Sequence, residues 1–364
     1  MNVHVLGVGQ LAPVMHSPLR LEEMAYAASS EALRSAGVSR GELDHITIAA
    51  CDEFDGRPIS SMLMTAPAGG YMTDEIKVTD NGLMGLALGY ARIASGDFDL
   101  GLVASWCKSS KTDQTAVMRM RADPFFLRPL GMDGGIADAL FAQAVAARHG
   151  LTQRQAAVQV AKAYQRAQAN PRGLRHAVPR PEDVETSDYQ AVPLRTAHMP
   201  PATDGAVSLV LASGRYLKQR PHLKPLCRIA GVGWCSDSYT LGAERLGSLR
   251  SLRTAWSQTM QSTGLDGSEA IDLVELDTPT IFHELAFEHA LGLDPRQVSP
   301  SGGSFAQNPL FCNGLVNAME AVLQASGRAG PVQKAGARRS AAHGCHGYAQ
   351  QGHVFAIFEQ EISA

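Results

Sequence analysis

Two segments of the sequence repeat one plan. Residues 81–96 read NGLMGLALGYARIASG and residues 313–327 read NGLVNAMEAVLQASG. Both open Asn-Gly-Leu, close Ala-Ser-Gly and carry small and apolar residues at helical spacing between them. Strand and helix patterns surround each one. RLEEMAYAASSEALRSAGV (20–38) puts Leu21, Met24, Ala25, Ala28, Ala32 and Leu33 on one helical face and stops at Gly37. LDHITIAAC and FDLGLVAS (98–105) are apolar runs suited to covered strands. Later, AIDLVELD (270–277) predicts a strand, ELAFEHALGL (284–293) a helix and HVFAIFEQ (353–360) a closing strand. Strand, helix, strand in this order implies parallel pairing through right-handed crossovers. Two halves built on one βα plan would explain the repeat. The alternative is chance likeness between two Ala/Gly-rich helices.

A chain of 364 residues, 45% hydrophobic and 18% charged, can bury a large core and hold two similar halves. A net charge of −3 without a long Lys/Arg run argues against nucleic acid or an anionic membrane as the main partner. No stretch is apolar and long enough to span a bilayer. MNVHVLGVGQLAPV lacks a basic region before its apolar run, so it reads as a first strand rather than a signal peptide, and the terminal EISA is not a peroxisomal address. Six scattered cysteines without a C-x-x-C pair suggest neither a disulfide framework nor a metal site. The expected location is the cytoplasm.

The middle of the chain differs. Residues 138–173 read as two helices broken near His149-Gly150 and ended by Asn170-Pro171. After them, HAVPRPEDVETSDYQAVPLRTAHMPPATDGAV is proline-rich and polar, the pattern of a long functional excursion over the surface.

AAVQVAKAYQRAQANPRG, YQAVPLRTAHMPPATDGAVSLVLAS (189–213), VSPSGGSFAQNPLFCNG (298–314) and the 79–105 stretch together resemble the thiolase superfamily, in its sterol-carrier or lipid-transfer branch. The resemblance implies an α/β thiolase-like fold: two βαβαβ halves in an α-β-α-β-α layered core, with a helical loop domain inserted in the first half. Its boundaries fall at 1–121 for the N-terminal half, 122–202 for the loop domain, 203–225 for the return and 226–364 for the C-terminal half. It also implies a coenzyme A thioester as substrate or ligand, no tightly bound cofactor, and a homodimer or mixed thiolase-like oligomer.

Thiolase chemistry needs a helix-terminal cysteine nucleophile, an activating histidine in a Gly-His-Pro turn, a polar pair on a second loop and a proton-moving cysteine in a Gly-rich C-terminal turn. On alignment with that pattern, the nucleophile position carries Leu83, which has no reactive atom. Gln307-Asn308-Pro309 takes the place of Gly-His-Pro, so Asn308 replaces the base. Asp277-Thr278-Pro279 takes the second loop, followed by His283-Glu284. In AAHGCHGYAQQG, either His343 or Cys345 takes the last cysteine's place, with His346 and Tyr348 beside it. The resemblance further places Ser301, Gly302 and Gly303 against the coenzyme.

Three readings follow. Asp277, His343, Cys345, His346 and Asn308 could form a non-covalent site for retro-aldol cleavage of a β-hydroxyacyl-CoA, as in branch members that lack the nucleophile and work with a small OB-fold partner of the DUF35 type. The chain could instead be a non-catalytic acyl-CoA-binding subunit, its pocket narrowed by Leu83, Met84 and Phe311. Or Cys312 or Cys345 could serve as a relocated nucleophile. Each residue also has a structural reading. His343 would be a hydrogen-bonded strand residue, His283 a surface partner of Glu284 or Glu288, Cys312 a buried filler, Cys107 a surface-loop thiol and Asp204 a turn former. Arg172, Arg175, Arg180 and Lys162 meet either phosphates or solvent.

Overall fold

The structure, a computed structural model, describes residues 2–57 and 59–361. The main-sheet strands are β1 (Val3–Val14), β2 (His45–Ala49), β3 (Asp74–Val78), β4 (Leu100–Lys108), β5 (Asp204–Ser213), β6 (Cys227–Ser236), β7 (Leu273–Glu275), β8 (Arg339–His346) and β9 (Gly352–Gln360). The longer helices are α1 (Leu21–Ala36), α2 (Gly82–Ala94), α3 (Gln114–Arg121), α4 (Gly134–His149), α5 (Gln153–Ala169), α6 (Arg250–Thr263), α7 (Ile281–Leu291) and α8 (Asn313–Ala325).

The sheet order is β3-β2-β4-β5-β1-β6-β9-β8-β7. Its two sides obey one rule. In the first, β2 pairs in parallel with β3 and β4, and β5 lies antiparallel between β4 and β1. In the second, β7 pairs in parallel with β8 and bridges Val298 in parallel, and β9 lies antiparallel between β8 and β6. The halves meet where Val3–Val5 pair with Cys227–Ile229.

Residue alternation along the strands sorts the core into layers. Leu102 and Ala104 face outward onto α1, whereas Val103 faces inward. Ala341, Phe355 and Ile357 face outward, toward a cluster that includes α6 and α7; Ala342, Val354 and Ala356 face inward. The inward cluster holds α2 and α8 between the two half-sheets, giving the α-β-α-β-α order.

The Asn-Gly-Leu repeat explains how the central helices meet. A methyl group at Gly82 would lie 2.9 Å from Leu315 Cβ, and one at Gly314 3.0 Å from Leu83 Cβ. Each glycine makes room for the other segment's leucine, so the repeat is a reciprocal packing device. Between β4 and β5 the chain leaves the sheet for α3, α4, α5 and the proline-rich stretch, whereas β8 and β9 are joined by a short turn. Among the described residues, no helix is long and apolar enough to cross a membrane, and no group of acidic, His and Cys side chains could hold a metal ion.

Candidate functional site

Parallel pairing of β7 with β8 sets Glu275 opposite Ala342, so the chain leaving β7 passes along the end of β8. There the Asp277 backbone N–H donates to His343 Nδ1 at 3.3 Å, and the Cys345 N–H donates to Asp277 Oδ2 at 3.1 Å. From the first turn of α8, the Asn313 amide donates to Asp277 Oδ1 at 2.7 Å and to Ser304 Oγ at 2.9 Å. The first turn of α2 closes the cluster. Asn81 accepts the Met84 N–H and donates to His346 Nδ1 at 3.3 Å, leaving the His346 proton on Nε2. Gly344 permits this approach, since a methyl group there would lie 2.7 Å from Asn81 Oδ1 and 2.9 Å from Leu83 Cβ.

Burial decides which of these groups titrates near neutrality. It pushes Asp277 up to about 6, against the opposing pull of the Asn313 amide and the Cys345 N–H. It drives His343 down to about 3, with neighbouring His283 adding to the effect, so the ring stays neutral. Because His343 Nδ1 accepts from Asp277, Nε2 carries the proton and donates to His353 Nδ1 at 2.9 Å. The thiols move the other way. Burial and then the Asp277 carboxylate hold Cys345 well above the usual thiol range, and burial takes Cys312 up to about 12. Neither is poised as a thiolate. Mass spectrometry after incubation with an acyl-CoA should therefore find no adduct on Cys312 or Cys345.

Leu83 is fully buried among Phe311, Cys312 and Leu315. Asn308 is bonded to the proline-rich stretch: its N–H donates to Thr203 Oγ1 at 3.1 Å and its amide to Pro200 O at 3.4 Å. The Ser301 hydroxyl donates to buried Glu275 at 2.6 Å. Gly302, at φ +91°, packs so closely on α5 that a methyl group would lie 2.4 Å from Ala167 Cα, and Gly303 follows at φ +53°. This turn is the seat of α5.

Glu275 carries a separate consequence. Burial and the Glu320 charge raise it to about 8, above its unfolded value, so its contribution to stability is complete at low pH and is lost as pH rises through 8. Glu275→Gln should flatten the fall in Tm between about pH 5 and 8.

Several residues differ from their sequence readings. His283 is buried rather than paired at the surface; its ring stacks on Phe141 at 3.9 Å and shares a 2.9 Å hydrogen bond with Thr280. Glu284 instead accepts from Arg166 and Gln159. Arg172 grips buried Glu320 and Cys107 is buried, whereas Arg180, exposed and paired with Asp183, fits the solvent reading. Asp204 joins distant segments by accepting from Ser17 and Ser110. Tyr348 donates its hydroxyl to Met118 O.

The sequence reading missed Asp138, on α4. Its carboxyl lies 3.4 Å from the Gln350 amide and 3.8 Å from His283 Nε2, and burial raises it to about 7. Its charge also contributes to the upward shift of the Cys345 thiol. A cleft of about 500 Å³ is lined by Arg245, Arg250, Arg253, Ser248, Thr254, Asp237 and Glu244. Arg250 is engaged by Asp237. Arg245 donates to Tyr348 O at 2.9 Å, while its Nη1 has no hydrogen-bond partner.

No family model matches the chain, and no curated protein sequence matches it. A solved structure does: human mitochondrial 3-ketoacyl-CoA thiolase, determined in complex with CoA, aligns with a TM-score of 0.82 over 99% of this chain and 98% of that one, at 14% identity. The doubled strand order, the central helix pair and this full-length match establish that the chain has the thiolase fold.

Proposed function

We propose that this chain is a thiolase-superfamily protein that binds acyl-CoA and cleaves a carbon–carbon bond of a β-hydroxyacyl-CoA without forming an acyl-enzyme. The observation that carries this reading is the state of the site: Asp277 is raised only to about 6, while Cys345 and Cys312 are held as thiols. At neutral pH Asp277 is a carboxylate held by two donors, strengthened as a base by burial. It takes the β-hydroxyl proton. The Cα–Cβ pair then moves toward the thioester, releasing an aldehyde or ketone and leaving an enolate. No thiolate is needed.

A thioester ligand must also place its phosphates. Arg245 and Arg253 suit that end, since both line the cleft and Arg245 also donates to Tyr348 O, just past the end of the strand that carries Cys345 and His346. The human thiolase of the same fold was solved with CoA. The test is incubation with β-hydroxyacyl-CoA thioesters bearing aliphatic, aromatic or steroid side chains. Equal amounts of a shortened acyl-CoA and a carbonyl compound are expected; the intact thioester alone would overturn the lyase reading. A second reading, binding without turnover, is favoured by the enclosure of the site, with Asp277 only 6% exposed and Leu83 at 0%. Under that reading CoA binds and the assay yields no products.

We also infer a homodimer formed through β3. One edge of β3 is unpaired in the sheet. Antiparallel self-pairing about Ile76 would set Glu75 opposite Lys77 of the second copy, twice over. Met62, Tyr71 and Met72 stand exposed nearby, at 79%, 73% and 92%. Ile76→Lys should convert a dimer to a monomer by light scattering, whereas unchanged mass would exclude this edge.

A further inference from the structure

Strand register sets a second imidazole behind the one that touches Asp277. β8 and β9 pair antiparallel with His343 opposite Phe355 and Cys345 opposite His353, so His343 and His353 are diagonal neighbours on one face of the sheet. Their ring centroids lie 5.2 Å apart at an interplanar angle of 21°. Phe287 of α7 meets both rings in T-shaped contacts at 5.3 and 5.4 Å. His343 is 0% exposed and His353 1%, and this burial keeps both rings neutral.

A neutral imidazole has one donor and one acceptor, and the bonds here assign them. The Asp277 N–H can only donate, so His343 Nδ1 accepts at 3.3 Å and Nε2 carries the proton. That proton goes to His353 Nδ1 at 2.9 Å. Both nitrogens of His343 are thereby committed, one to the Asp277 main chain and one to His353. The Asn317 amide holds the His343 carbonyl at 3.0 Å. β8 therefore grips Asp277 at two points, the N–H through the His343 ring and Oδ2 through the Cys345 N–H at 3.1 Å. His353 stands behind both, bonded to the first and paired across the strands with the second.

We propose that His353 is a positioning residue for the base: by accepting the His343 proton it holds the imidazole that anchors the Asp277 main chain, and so fixes where the carboxylate points. This rests on the lyase reading, and His353 acts through His343 without touching substrate. Taking the acceptor away leaves a buried N–H unpaired, which is costly. The His343 ring relieves that cost by turning, or by moving its proton to Nδ1, where it meets the Asp277 N–H donor to donor. Either change breaks the anchor. A misplacement of about 1 Å can cost on the order of a hundredfold in rate.

His353→Leu keeps an apolar partner for Phe287 but cannot accept a hydrogen bond. It should lower kcat for the β-hydroxyacyl-CoA that the wild type cleaves by about 10- to 100-fold, with KM little changed. His353→Asn sets its side-chain carbonyl where Nδ1 stood and should recover most of the loss. His353→Gln carries the carbonyl one bond further and should not, so the Asn and Gln variants decide the matter even if His353→Leu fails to fold. In wild-type protein labelled with heavy nitrogen at histidine, NMR should show a scalar coupling across the N–H···N bond between His343 Nε2 and His353 Nδ1. Wild-type kcat in His353→Leu, equal rates for the Asn and Gln variants, or no coupling between the two rings would overturn the role of His353 alone. A wild type that shows the coupling yet cleaves no β-hydroxyacyl-CoA would overturn the lyase reading and leave the pair a packing bond.

Discussion

Asp277→Asn should lower cleavage of a β-hydroxyacyl-CoA by a factor of about 10²–10⁴, the usual contribution of a positioned general base, while making the protein more resistant to heat at pH 8. The two effects have one cause. Burial raises Asp277 to about 6, above its unfolded value, so its stabilising contribution is full at low pH and is lost as pH rises through 6. An asparagine cannot ionise, and its carbonyl can still accept from Asn313 or Cys345. A gain on the order of 1 kcal/mol is expected at pH 8. Tm and rate should therefore move in opposite directions, as they do where a site is maintained against the stability of the fold. A drop in both would mark Asp277 as structural.

Arg172→Ala should cost about 3–5 kcal/mol of folding stability, the largest stability effect expected of a single replacement here. Glu320 is 1% exposed and accepts from Arg172 Nε at 2.9 Å, Arg172 Nη2 at 2.5 Å and Asn170 at 2.9 Å. Removing the guanidinium leaves a buried carboxylate short of its cation. Replacing both partners, Arg172→Met with Glu320→Gln, should recover most of the loss, because the uncompensated charge disappears. Urea denaturation of the wild type, Arg172→Met, Glu320→Gln and the double variant closes the cycle. Additive losses would show that the pair is not coupled. The pair ties the end of the α5 segment to α8, so loosening it should free the excursion that covers the second half.

The layered fold was legible in the sequence where the pattern is local. The Asn-Gly-Leu repeat works because each glycine receives the other segment's leucine. Gly37 does end α1, in a left-handed conformation, as the spacing around it implies. Partners across the chain were not legible. Arg172 and Glu320 lie far apart in sequence, and nothing local distinguishes Arg172 from a solvent-facing arginine. His283 begins a helix with acidic neighbours, a pattern equally fit for the surface; its burial follows from Phe141 and Gln350, contributed by α4 and the last turn. Asp138 occupies one position on an Ala-rich helix and acquires meaning only beside Gln350. Asp277 and Cys345, by contrast, were grouped through the resemblance, and the parallel pairing of β7 with β8 does bring them into hydrogen-bond contact.

The most direct measurement is the intact mass of the protein, quenched while it turns over a β-hydroxyacyl-CoA. A shortened acyl-CoA should accumulate while the protein keeps its unmodified mass throughout. A transient mass increase equal to an acyl group, mapped to any cysteine, would contradict cleavage by Asp277 without a covalent intermediate.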